Sequence, residues 1–124
     1  MADVSGTWLG TYWQRGFPTR FEATLVQSGN ALIGSILDDN SLGEANISGE
    51  VIGRSIRFNK SYLTTSSDVI IYTGTLAESE DFMIGQWQIV GFDSGPWEAR
   101  RSGEELMSSL RVRLANQVPL GVPF

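Results

Sequence analysis

Lys60 and Tyr62 lie two residues apart in the segment Ser-Ile-Arg-Phe-Asn-Lys-Ser-Tyr, and Ile56 and Phe58 occupy the preceding alternate positions. In an extended strand these four side chains share one face. Turned inward, that face would hold a desolvated ammonium beside a phenol. Such a lysine has a lowered pKa and can bind an anion or act as a base. Turned outward at a strand end, the same lysine would only extend to water along its own alkyl stem. The sequence leaves both arrangements open. Tyr72 and Trp87, on segments expected nearby, join Phe58 as aromatic surface for a pocket wall. Asp38, Asp39, Asn40 and Glu44 are oxygen donors of the kind Ca²⁺ takes, but they lack EF-hand spacing and read as a solvated loop. Glu78, Glu80 and Asp81 read the same way, as a charged turn that discourages edge pairing.

The excluded chemistry is better defined. The 124 residues contain no histidine and no cysteine. Ser-His-Asp catalysis, thiol nucleophiles, His/Cys zinc sites and histidine-ligated haem are therefore ruled out for this sequence. We assign no catalytic residue, no metal ligand and no cofactor. The net charge of −5 divides into −7 over residues 1–99 and +2 over residues 100–124. An acidic body repels phosphate backbones, which argues against nucleic acid as a partner.

The elements that must position these residues are strands. Period-2 alternation, broken by turn residues, runs to about residue 101 and marks eight strands at 7–13, 20–27, 31–38, 45–52, 55–62, 68–76, 82–90 and 96–101. Gly53-Arg54 reads as a two-residue hairpin turn. Short strands joined by tight turns favour sequential pairing, and an up-and-down antiparallel barrel leaves no edge. An apolar-x-Gly-x-apolar pattern around Gly10, Gly34, Gly49 and Gly74, with a looser copy at Gly85, supports closure. Glycine inside a strand suits sharp bends where a side chain would strike the next strand.

Residues 1–101 thus read as the barrel of a single domain and 102–124 as a C-terminal helix and apolar tail packed on the barrel or on a second subunit. Ser102-x-x-Glu105 has a capping-box pattern, and Leu106, Leu110 and Leu114 form an apolar stripe. The opening residues show no basic and apolar leader pattern, and no apolar run is long enough to span a bilayer, so the expected compartment is the cytoplasm.

At Gly6-Thr7-Trp8 and Arg100-Arg101 the chain resembles the calycin superfamily, the lipocalin and avidin-like barrels. In those barrels a Gly-x-Trp opens the first strand and an arginine near the end of the last packs across the tryptophan. The resemblance implies that Trp8 and Arg101 close one end, Arg101 being in phase with Trp97 and Ala99. The middle of the chain is also similar to small uncharacterised bacterial lipocalin-like barrels, through Phe58-x-Lys60-x-Tyr62, Tyr72-x-Gly74-x-Leu76 and Gly85-x-Trp87. The second lipocalin motif, a Thr-Asp dipeptide between the sixth and seventh strands, is replaced here by Ala77-Glu78-Ser79-Glu80-Asp81.

Fold analogy then favours a binding protein without enzymatic activity. It would hold a small, largely apolar ligand in the barrel interior, lined by Phe58, Tyr62, Tyr72 and Trp87 with Lys60 as polar anchor. That reading requires a cavity of about 300 Å³ or more. The alternatives are a ligand-free homo-oligomeric assembly module, built through the C-terminal helix and tail, and a proton-transfer or cyclase-type enzyme using Lys60, Tyr62 or a carboxylate.

Overall fold

Alternating side chains and two-residue turns produce a single closed sheet. A computed structural model describes residues 2–102. Its strands are β1 Gly6–Gln14, β2 Phe17–Ser28, β3 Ala31–Asp38, β4 Glu44–Ile52, β5 Ser55–Tyr62, β6 Val69–Leu76, β7 Phe82–Ile89 and β8 Asp93–Arg101. Each pairs antiparallel with the next, and β8 returns to β1 through Trp8↔Arg101 to Tyr12↔Trp97. The fold is an eight-stranded antiparallel closed barrel. Among the described residues there is no helix, and none long and apolar enough to cross a membrane. The helix and tail expected over 102–124 lie, apart from Ser102, outside the described residues.

Two strands start three residues earlier than the sequence pattern suggests, and both differences have a local cause. Arg15 and Gly16 take φ of 53° and 82°, so the chain reverses in two residues and Phe17-Pro18 already belongs to β2. Pro18 pairs with Trp13, beyond the point where β3 ends opposite Phe21, so β2 has no neighbour there on its other side. Pro96 likewise precedes the stretch of β8 that pairs with β1. Proline lacks an N–H and is tolerated at such local edges.

The interior is filled by matching large side chains with absent ones. Gly74 and Gly85 face each other across β6 and β7. A Cβ on Gly85 would land on the Thr73 carbonyl, and one on Gly74 would lie 2.7 Å from Cζ2 of Trp97. The Trp97 indole occupies that gap and donates to the Thr73 and Gln86 carbonyls at 3.1 and 3.2 Å. Phe58 and Tyr72 stack at 4.8 Å and 13°, with Trp97 tilted against Tyr72 at 5.5 Å. Such aromatic pairs contribute about 0.5–1.5 kcal/mol each beyond area burial.

One end is plugged by Trp8, which is fully buried and donates its indole N–H to the Val4 carbonyl at 2.9 Å. The Arg101 guanidinium lies 4.6 Å from that ring. It donates to the carbonyls of Ser5, Asp3 and Glu80, each at 2.8 Å. One planar cation thereby ties the N-terminal segment, the β6–β7 connection and the end of β8 together. Lysine keeps the charge but not the fork. Arg101→Lys should lower stability by about 2 kcal/mol, the scale of lost charge-assisted hydrogen bonds, as a reduced urea midpoint at unchanged m-value. An unchanged midpoint would show that the clamp is dispensable.

Candidate functional site

The opposite end, the mouth, is built by the residues following the inward glycines and aromatics. Tyr12 on β1, Asp38 on β3, Lys60 and Tyr62 on β5, Ile70 and Tyr72 on β6 and Trp87 on β7 are all buried there. Strand phase explains each: Asp38 follows Leu32, Gly34 and Ile36 on the inward face of β3, and Lys60 follows Ile56 and Phe58 on that of β5.

Lys60 is the only lysine in the chain, and it is completely enclosed. Its ammonium contacts Asp38 Oδ1 at 2.7 Å and Oδ2 at 2.8 Å. The Tyr62 hydroxyl donates to Oδ2 at 2.6 Å and the Tyr12 hydroxyl to the same oxygen at 3.0 Å. The Asn40 amide donates to the Tyr12 oxygen at 3.1 Å. Lys60 Nζ also lies 4.8 Å from the ring centres of both Tyr12 and Tyr62 and 5.6 Å from that of Tyr72. All three tyrosines of the chain thus surround its one lysine.

Burial pushes the Lys60 ammonium below its ordinary pKa, with Asp38 pulling it back up. Burial pushes all three tyrosines the other way. Tyr62 and Tyr72 stand well above the ordinary value of 10.0, and Tyr12 is raised, with the Asp38 charge adding to burial in each case. Every phenol at the mouth is therefore neutral at physiological pH.

Above this cluster opens a pocket of about 160 Å³. Tyr12, Tyr62, Ile70, Tyr72 and Trp87 line its depth, and Gln14, Leu42, Ser66, Asp68 and Ile89 its rim. Tyr12 and Trp87 meet edge to face at 6.2 Å and 73°, and the Trp87 indole N–H is held by the Trp13 carbonyl at 3.0 Å. Of the residues proposed from sequence, Tyr62, Tyr72 and Trp87 come together on this pocket. Phe58 and Lys60 are not among its lining residues. Phe58 stacks on Tyr72 within the core, and Lys60 is held by Asp38.

Among the described residues, the pocket that opens into the barrel end is smaller than the cavity of about 300 Å³ expected of a small-molecule site. Larger depressions of about 360 and 340 Å³ are grooves along the wall beside Gly10 and Gly49. An eight-stranded barrel can be just full of side chains, and the interior here is occupied by one continuous cluster of buried residues.

Sequence reasoning missed Tyr12 and Asp38. The sequence pattern groups Asp38 with Asp39, Asn40 and Glu44 in a solvated loop, yet it is buried while Asp39 and Asn40 are exposed. Its phase with Ile36 was the available signal. The loop oxygens do not gather, and among the described residues no group of three or more acidic, histidine or cysteine side chains could hold a metal ion.

Comparison with known proteins adds no identity: no protein family and no curated protein matches the chain.

Removing one partner of a buried ion pair costs about 3–5 kcal/mol. Asp38→Ala should be more damaging than Lys60→Met, because an orphaned carboxylate keeps two tyrosine donors whereas an orphaned ammonium keeps only ring faces. The double variant Asp38→Leu/Lys60→Met should recover much of the loss in urea denaturation. Additive losses would show that the two residues are not coupled.

The tyrosines also determine behaviour in base. Unfolded phenols ionise near pH 10 while the buried ones keep their protons, so above that pH the native state binds more protons and stability falls. Each tyrosine contributes a loss of up to about 1.4 kcal/mol per pH unit. Lys60 acts in the opposite sense, but its gain ends once the unfolded lysine has deprotonated. Absorbance at 295 nm should therefore stay flat through pH 10 and rise together with unfolding. Phenols titrating near 10 in folded protein would contradict this environment.

Proposed function

We propose that the protein binds a small, largely apolar molecule at the mouth of the barrel, as a calycin-like binding protein reduced to a shallow site. The observation that carries this reading is the pocket of about 160 Å³ lined by Tyr12, Tyr62, Ile70, Tyr72 and Trp87. It is supported by the strand order and by the stacking of Arg101 on Trp8 at the closed end, both of which fit the calycin plan. A cavity of about 150 Å³ with apolar walls accommodates a benzene ring, which sets the scale of the occupant: one ring, or the end of a longer molecule whose remainder stays outside.

Lys60 has a supporting part in this reading. Its charge is neutralised by Asp38, and it fixes Asp38 against two of the tyrosines that face the ligand. The contacts that select the ligand are ring faces and rim groups.

Toluene should perturb tryptophan emission saturably, through Trp87, with Kd near 1 mM, equivalent to about −4 kcal/mol for a ligand of this size. Ser66→Trp, at the partly exposed rim, should block the pocket and abolish the saturable change without unfolding the barrel. A strictly linear response of the unaltered protein, equal to that of Ser66→Trp, would rule out the site.

A further inference from the structure

The three tyrosines at the mouth are not equivalent. The Tyr62 and Tyr12 hydroxyls are committed to Asp38 at 2.6 and 3.0 Å, and Tyr12 also accepts from Asn40. Tyr72 is the most deeply buried of the three, with 1% of its surface exposed. Its ring is gripped by Phe58 and Trp97. Its hydroxyl nevertheless makes no hydrogen bond among the described residues, where every fully enclosed side-chain nitrogen or oxygen has a partner. The Tyr72 oxygen is therefore not sealed in, and the space beside it is the pocket that Tyr72 lines. A buried hydroxyl left without a partner loses about 1–3 kcal/mol, so this position calls for a polar atom from water or from a ligand.

The surroundings decide which polar atom fits. Among the described residues, Asp68 is the only charged one lining the pocket. The Lys60 charge is absorbed by Asp38, and neither residue lines the pocket. Among the described residues lining the pocket, an anionic ligand would meet the Asp68 carboxylate and no cation, which disfavours it. The phenol keeps its proton, held by burial and by the nearby Asp38 charge, and it lines the pocket. Flat aromatic walls and a volume of about 160 Å³ favour one planar ring with a small substituent.

Building on the binding role proposed above, we infer that the ligand is an uncharged planar ring bearing a carbonyl-type acceptor, which receives a hydrogen bond from the Tyr72 hydroxyl. Tyr72 is then the residue that distinguishes a ring with such an acceptor from a plain hydrocarbon of the same shape.

Acetophenone and α-methylstyrene differ only in a carbonyl oxygen replaced by a methylene, and benzoate supplies the anionic counterpart. Affinities of all three would be measured by ligand-observed NMR against the unaltered protein and Tyr72→Phe, which keeps the stack on Phe58. We expect Tyr72→Phe to weaken acetophenone by about three- to tenfold, the value of one neutral hydrogen bond, and to leave α-methylstyrene unchanged or tighter. Benzoate should bind the unaltered protein at least about tenfold more weakly than acetophenone, as one uncompensated charge implies. The ¹³C resonance of carbonyl-labelled acetophenone should lie downfield when bound to the unaltered protein relative to when bound to Tyr72→Phe, since water already hydrogen-bonds the free ketone. Equal effects of Tyr72→Phe on acetophenone and α-methylstyrene, or no such carbonyl difference, would overturn the inference while leaving the mouth as a binding site. Failure of both neutral rings to bind the unaltered protein would overturn the binding role itself.

Discussion

Closure of eight strands into one ring is the constraint on which everything else in this molecule depends. Pairing of β8 with β1 removes both edges, but it also fixes a narrow interior whose volume every inward side chain must share. The shares are very unequal. Phe58, Tyr72 and Trp97 project from β5, β6 and β8, while β1, β3, β4 and β7 contribute Gly10, Gly34, Gly49 and Gly85 at comparable inward positions. A side chain at those glycines would strike the backbone of a neighbouring strand. The aromatics can be large only because the glycines are absent as side chains, and the result is a barrel solid from the Trp8 plug to the level of Phe58.

Above that level the strands carry Tyr12, Asp38, Lys60 and Tyr62, and packing gives way to a hydrogen-bonded cluster. β1 and β5 are four strands apart in the ring and so face each other across the bore, with β3 midway between them. Asp38 therefore receives a tyrosine from each opposing wall on one oxygen and the lysine on both. A well-packed apolar substitute could be as stable as this ion pair. The cluster supplies direction: two rings are held by their hydroxyls in one orientation, so the pocket above them has fixed walls.

The barrel was legible in the sequence because its signals are local. Alternation over seven or eight residues and the turn at Gly53, which adopts φ of 60°, are each contained in a short window. The recurring glycines carried the one non-local hint, and the collisions at Gly49 and Gly85 give its cause. The site was only partly legible. Tyr62, Tyr72 and Trp87 could be grouped because they lie on consecutive strands, β5 to β7. Asp38 could not be matched to Lys60, since their pairing skips β4 to join β3 and β5 on the inward face of the curved sheet, a contact that no single window encodes. A carboxylate followed by Asp39 and Asn40 also looks like a loop residue, and the phase of β3 is what assigns it to the interior.

The same geometry gives the lone lysine a different part from the one its residue type suggests. An ammonium inside a barrel invites comparison with an anion anchor, but an anchor must present uncompensated charge to the ligand. Lys60 presents none: Asp38 takes two of its contacts and tyrosine rings surround the remainder. The charge is spent within the wall, and the surface left facing the pocket is phenol, indole and aliphatic carbon in its depth, with Gln14, Ser66 and Asp68 at the rim. Recognition at such a surface rests on shape and on single hydrogen bonds. Of the three hydroxyls brought to the mouth, two are bound to Asp38, and the third, on Tyr72, makes no hydrogen bond among the described residues.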